Sequence, residues 1–221
     1  MTACLLETHA LGRSFGALAA VSDVEFKLHA GARHALIGPN GAGKTTFINL
    51  LSGLQRPSCG RILLKGRDVT DVSEAQRVKL GIARTFQINR LFRGLTVLEN
   101  VYIAVSERLG AAGDMFRSAG AHRDVTAEAM QLLAVLKLED DAGRRVSELP
   151  YGRQRLVEIA IALGLKPEVL LLDEPAAGVP SAESHIILDA VGHLSKNIGV
   201  LIIEHDMDVV FRFAERITVM V

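Results

Sequence analysis

Two stretches carry residues whose types and spacing can do chemistry. The first, Gly38-Pro39-Asn40-Gly41-Ala42-Gly43-Lys44-Thr45-Thr46, sets a lysine and two threonines directly behind a glycine-rich turn. This is the pattern Gly, four residues, Gly-Lys-Ser/Thr, in which backbone N–H groups turn inward around phosphates. An amphipathic helix opening at that point adds the positive end of its dipole. Lys44 would then meet the β and γ phosphates of a nucleoside triphosphate, and Thr45 would give an oxygen to Mg2+. A glycine turn with only a structural role leaves the lysine and both threonines unexplained.

The second stretch, Val169-Leu170-Leu171-Leu172-Asp173-Glu174-Pro175, is an apolar run ending in two carboxylates. Asp173, at the tip, is placed to order Mg2+ through its water shell. Glu174, one residue beyond, is the residue to orient and deprotonate an attacking water. An exposed acidic turn is the ordinary alternative, and it loses weight once the phosphate loop is granted. Phosphoryl transfer needs little covalent help, so positioning and charge carry most of the acceleration.

These groups need a scaffold. The chain has 221 residues, enough for one substantial core and a small attached subdomain. Its apolar share of 49% against 23% charged excludes a disordered chain. Twenty-five basic residues balance twenty-five acidic ones, so charge offers no case for a nucleic-acid partner. Cys4 and Cys59 lack metal-ligand spacing and read as reduced thiols. No apolar run approaches the roughly 18 residues that span a bilayer, and the start lacks the charged and apolar regions of a secretory signal. Work at a membrane would therefore pass through a partner protein.

Short apolar runs alternate with longer amphipathic stretches, the pattern of an α/β protein with a mostly parallel sheet. Residues 5–28 read as strand-rich, 34–37 as a short buried strand before the glycine loop, and 61–65 as another strand. From about 97 to 162 the helical period dominates, which reads as an inserted helical subdomain. Glycine and alanine around 110–120 suggest a mobile connection there. The runs at 169–172 and 200–204 look like central parallel strands.

Further segments resemble the ATPases of ABC transporters over nearly the whole chain. Leu149-Pro150-Tyr151-Gly152-Arg153-Gln154-Arg155 is similar to that family's signature loop. After it, Leu156, Ile159, Ala160 and Leu163 fall at helical spacing on one face. The resemblance implies that residues 149–154 face the γ phosphate held by an opposite subunit, with two nucleotides enclosed in a head-to-tail dimer. It implies further that Gln87, in Arg84-Thr85-Phe86-Gln87, touches Mg2+ and the attacking water. His205, after Ile203-Glu204, is similar to the family's switch histidine at the γ phosphate. Phe15 resembles the aromatic that stacks on adenine, with Val21 as a second apolar contact.

The resemblance also sets the expected fold: a P-loop NTPase (RecA-like) core with a mostly parallel sheet, an N-terminal antiparallel β part and an inserted helical subdomain. Residues 1–221 would form one ABC ATPase domain, cut short within a strand at 217–221. The stretches Leu149-Pro150-Tyr151-Gly152, Asp173-Glu174-Pro175-Ala176-Ala177-Gly178 and Glu204-His205-Asp206-Met207 are similar to the branched-chain amino acid importer type. The implied cofactors are ATP and Mg2+. The implied partners are transmembrane permease subunits docking near Gln87 and 88–92, a second ATP-binding subunit (identical or paralogous), and indirectly a periplasmic or extracellular solute-binding protein. The implied place is the cytoplasmic face of the inner membrane, as a peripheral subunit.

Two positions depart from the family pattern. Pro150 stands where a serine is usual, which suits a first helical turn but removes a hydroxyl donor. Gly178-Val179-Pro180-Ser181 lacks the usual Asp or Asn that links the two sites. A soluble ABC-type ATPase of translation or DNA maintenance is the alternative. It would show two cassettes, long coiled-coil insertions or a basic face, none of which is visible. A GTPase would need a guanine-reading Asn/Thr-Lys-x-Asp, which is absent.

Overall fold

The computed structural model describes residues 3–85, 91–110 and 123–221. It opens with a hairpin of two long strands, β1 (Cys4–Phe15) and β2 (Leu18–His29). Along β2 Phe26 and Leu28 share the core face, and a register shift around Asp23 brings Val21 onto it as well. The buried strand β3 (Arg33–Ile37) runs into the glycine loop, and helix α1 (Lys44–Ser52) follows. Strands β4 (Cys59–Leu64) and β5 (Arg67–Asp68) complete an antiparallel sheet of order β2-β1-β4-β5.

A short helix, α2 (Glu74–Lys79), leads to β6 (Ile82–Arg84). The middle is helical, with α3 (Val97–Arg108), α4 (Arg123–Val135) and α5 (Tyr151–Gly164). The chain then alternates through β7 (Val169–Asp173), α6 (Ser181–Gly192), β8 (Gly199–Ile203), α7 (Met207–Phe213) and β9 (Arg216–Val219). The second sheet has the order β6-β7-β8-β3-β9, and every pairing in it is parallel.

Every residue of β7 and β8 is buried, as a sheet covered on both faces requires. The two-residue period divides them. Val169, Leu171, Leu201 and Ile203 join Phe47, Ile48 and Leu51 of α1 and the inner face of the antiparallel sheet. Leu170, Leu172, Val200 and Ile202 join an apolar cluster that includes Val157 and Ala160 of α5 and Val210 of α7. Because all five strands run the same way, the loops after β3, β6, β7 and β8 leave at one edge, where ligands of such sheets bind.

Thr96 and Glu99 start α3 with reciprocal bonds: the Glu99 N–H donates to Thr96 Oγ1 at 3.2 Å, and the Thr96 N–H to Glu99 Oε2 at 2.7 Å. Val97, Val101 and Val105 form its buried stripe. Gly164 allows α5 to approach closely, since an added Cβ would stand 3.2 Å from Val105 Cγ2. Arg108 ties the three helices, donating to Gly164 O at 2.8 Å and pairing with Glu128 on α4 at 2.6 Å.

The strand read at 61–65 runs Cys59–Leu64, and that at 217–221 runs Arg216–Val219. Helix α2 was not legible, because six residues give too little periodicity. The connection around 110–120 falls largely on 111–122, outside the described residues.

Candidate functional site

The site assembles from loop ends at the carboxyl edge of the parallel sheet. Gly38, Gly41 and Gly43 all have positive φ, at 152°, 87° and 85°. Two of them also lie against backbone: a Cβ on Gly38 would stand 2.2 Å from Met220 O, and one on Gly43 2.1 Å from Ala20 O. Gly43 is therefore required by the hairpin behind it as well as by its own conformation. Gly43→Ala is expected to destabilise the chain by ~2 kcal/mol or more, seen as a fall of about 5 °C in Tm, and to weaken nucleotide binding in a titration.

Helix α1 begins at Lys44 with no side chain bonded to its N-terminus, which leaves its first N–H groups for an anion. The Lys44 ammonium is buried and lies across the loop, donating to Gly38 O at 2.7 Å and Pro39 O at 2.9 Å. These carbonyls hold the charge inside the loop, where a phosphate would meet it. Thr45 is exposed and Thr46 half-buried; Pro39, Asn40 and Gly41 are exposed, and Ala42 is half-buried.

Asp173 ends β7 with 3% of its side chain exposed. Its Oδ2 accepts from Arg84 Nη2 at 2.9 Å, and Arg84 Nη1 donates to Asn49 Oδ1 on α1 at 2.6 Å. In the sequence Arg84 stands only as context for Gln87. The structure makes it the link between the acidic strand end, the helix behind the phosphate loop and β6. The one signal was a cation inside an otherwise apolar three-residue strand.

Glu174 follows in a left-handed conformation with φ 47°, which costs a non-glycine residue on the order of 1–2 kcal/mol. Its N–H donates to Ile203 O at 3.0 Å, and its carbonyl accepts from Ala177 N–H at 3.0 Å. Its half-buried carboxylate has Oε1 3.7 Å from Nδ1 of the exposed His205. The two ends of β7 and β8 thus bring a carboxylate and an imidazole together from positions distant in sequence.

A third carboxyl was not anticipated. Glu204, 1% exposed, accepts from the Ala176 N–H at 3.2 Å. Burial pushes its carboxyl above the usual range; backbone bonds from Ala176 and His205 pull it back in part. Its sequence signal was a charged residue straight after a fully buried apolar strand.

The glycine loop and strand end fit a magnesium nucleotide by donor chemistry. Among the described residues no group of three or more His, Cys, Asp or Glu could hold a metal alone. Magnesium commonly takes one or two carboxylates and completes its shell with water and nucleotide phosphates. Asp173 and the Thr45 hydroxyl suit that use. Gln87 lies outside the described residues, as do 86–90 around it.

The adenine-facing residues separate. Phe15 is 43% exposed, with the Arg13 guanidinium 4.7 Å above its ring, so its face is only partly open. Val21 is a correction: it is 3% exposed and packed in the core with Leu11 and Phe47, because the register shift around Asp23 turns it inward.

In residues 149–154, Pro150 occupies the N-cap of α5 without a side-chain bond, leaving the helix N–H groups uncapped. Leu149 and Gly152 are buried, and Tyr151 is exposed beside Gly178, where an added Cβ would stand 3.3 Å from its ring. Arg153 and Gln154 are both held by the chain itself. Arg153 pairs with Asp141 at 2.6 Å, and Gln154 turns inward to donate to Leu149 O at 2.8 Å. Both brace the loop, so what this end offers an anion is backbone N–H and the uncapped helix.

A groove of about 200 Å³ runs beside Arg84 and Thr85, walled by Val78, Ile82, Leu91, Ile161 and Leu165 with Glu74 and Glu158. Thr85 and Leu91 flank the segment that carries Gln87.

Residues 21–177 match the family described as ABC transporter. The high-affinity branched-chain amino acid transport ATP-binding protein LivG of Escherichia coli (strain K12) is 38% identical over 227 residues, spanning 99% of this chain and 89% of LivG. The crystal structure of an ATP-binding cassette of an ABC transporter in its ADP conformation superposes with a TM-score of 0.86 at 31% identity, over 98% of this chain and 87% of that one. A dimeric bacterial ABC transporter cassette superposes at 0.81 with 25% identity, over 98% and 94%.

Proposed function

The chain belongs to the ABC transporter ATPase family, and we propose that it powers the import of branched-chain or related amino acids across a membrane. The observation that carries the reading is the convergence of the lysine-bearing glycine loop, the Asp173-Glu174 strand end and His205 at one sheet edge. ATP binds with its phosphates against the glycine loop 38–43, Lys44 and the N-terminus of α1, with Thr46 beside them. Thr45 would supply Mg2+ with an oxygen, Asp173 and Gln87 would order it, and the ion would neutralise phosphate charge. Glu174 orients and deprotonates the attacking water, and His205 stands ready at the γ phosphate. Phe15 stacks on the adenine.

A second ATP-binding subunit encloses each nucleotide, bringing the uncapped start of α5 at Pro150-Tyr151-Gly152 to the phosphate. The pairing of the similar dimeric cassette supports this arrangement. A short apolar segment of a permease subunit docks in the groove beside Thr85 and Leu91. A solute-binding protein outside the membrane delivers the amino acid to that permease. No helix among the described residues is long and apolar enough to cross a membrane, which supports a peripheral subunit, placed at the cytoplasmic face of the inner membrane.

Affinity capture from solubilised membranes should recover polytopic permease subunits together with this chain, and leucine or a related amino acid should stimulate hydrolysis in the reconstituted complex. In parallel, Lys44→Ala should weaken binding of a fluorescent ATP analogue at least about tenfold, the loss of a charge-assisted phosphate contact. Capture of ribosomes or DNA in place of permease would sink the transport reading. Undiminished nucleotide affinity in the Lys44 variant would sink the assigned phosphate site.

A further inference from the structure

Glu204 is a buried acid that the reading above leaves unused. It is 1% exposed, among the most deeply buried charged side chains described. A buried carboxyl is costly unless its hydrogen bonds carry a purpose, and an apolar residue could fill the space without that cost. The group its carboxyl meets lies on the loop that carries Glu174. Oε1 accepts from the N–H of Ala176, two residues beyond Glu174, at 3.2 Å. His205, the switch histidine of the reading above, is Glu204's next neighbour in the chain.

The loops after β7 and β8 are therefore stitched at two points: Glu174 N–H to Ile203 O at 3.0 Å, and Ala176 N–H to Glu204. Between these stitches Glu174 adopts its left-handed backbone, within a turn closed by the Ala177 N–H on Glu174 O at 3.0 Å. Such a conformation persists only where the surroundings over-determine it. One stitch leaves the turn free to pivot about Ile203. The second removes that freedom and registers the turn against His205.

We propose that Glu204 is a positioning residue for hydrolysis: it stands beside His205 in the chain, and its carboxyl accepts from the Ala176 N–H and so fixes Glu174 and His205 relative to each other. This rests on the roles given above to Glu174 and His205. Glu204 touches neither nucleotide nor water in this account; it acts through the two residues it aligns.

Glu204→Leu and Glu204→Gln in the full chain, compared with wild type, test it by kcat, KM for MgATP, nucleotide affinity and Tm. The leucine fills the same buried space and should keep or raise Tm, with KM and affinity within about twofold. Its kcat should fall by up to about 100-fold, the cost of a misplaced catalytic group. The glutamine keeps an oxygen acceptor and should restore kcat to within about threefold of wild type. Glu204→Leu with kcat within threefold of wild type would overturn the proposal, as would Glu204→Gln losing as much as the leucine variant. Wild-type protein without any turnover would overturn the ATPase reading itself, an outcome distinct from active wild type with unaffected variants.

Discussion

Glu174→Gln is expected to reduce steady-state ATP hydrolysis by roughly 10²- to 10⁴-fold, the range for loss of a general base, while nucleotide affinity stays within a few fold. The amide matches the carboxylate in size and retains an oxygen to orient water, so only the proton-accepting capacity goes. Glu174 sits one residue past the strand end, half-buried, with its Oε1 3.7 Å from His205 and its backbone locked by Ile203. Loss of affinity is not anticipated, because the groups proposed to bind the phosphates lie on the glycine loop and α1. Single-turnover hydrolysis and equilibrium binding of MgATP separate the two quantities. Normal turnover in this variant would remove the base assignment.

Arg84→Met is expected to lower thermal stability more than any other single change at the site. The Arg84–Asp173 pair is nearly dry, with side chains 8% and 3% exposed. Removing one partner of a buried pair strands the other charge, at a cost of about 3–5 kcal/mol. For a chain of this length that is a fall of roughly 6–20 °C in Tm. Arg84→Met/Asp173→Asn should recover much of the loss, since no buried charge then remains, although the metal-ordering carboxylate goes with it. Calorimetry of the two variants without nucleotide checks this. Equal melting of the single variant and wild type would mean that water reaches Asp173 and the pair is not a stability element.

The two predictions differ in how they could be seen. The glycine loop and the Asp173-Glu174 end were legible because the chemistry they serve is built from neighbours in the chain. A phosphate cradle needs consecutive N–H groups and a lysine at the helix start, and these occupy nine adjacent positions. The same holds for the apolar strands at 169–172 and 200–203, whose unbroken burial required a parallel sheet covered on both faces. Val21, Arg153 and Gln154 show the limit of motif reading. Each stands in a segment expected to meet ligand, but a register shift along β2 buries Val21. In the first turn of α5 Gln154 turns inward, while the half-exposed Arg153 is held by Asp141.

Arg84 and Glu204 lay beyond reach for the opposite reason. Their partners stand 89 and 28 positions away, and nothing in the local spacing specifies which carbonyl, amide or carboxylate will face them. The amino-acid sequence by itself determined the alternating α/β core, the phosphate loop and the acidic strand end, since each follows from short-range periodicity and backbone chemistry. Only the tertiary structure decided which charges are paired, which motif side chains are buried, and how Glu174 is held against His205. Strand order places β8 between β7 and β3, and that neighbour relation depends on long-range packing that no local pattern encodes.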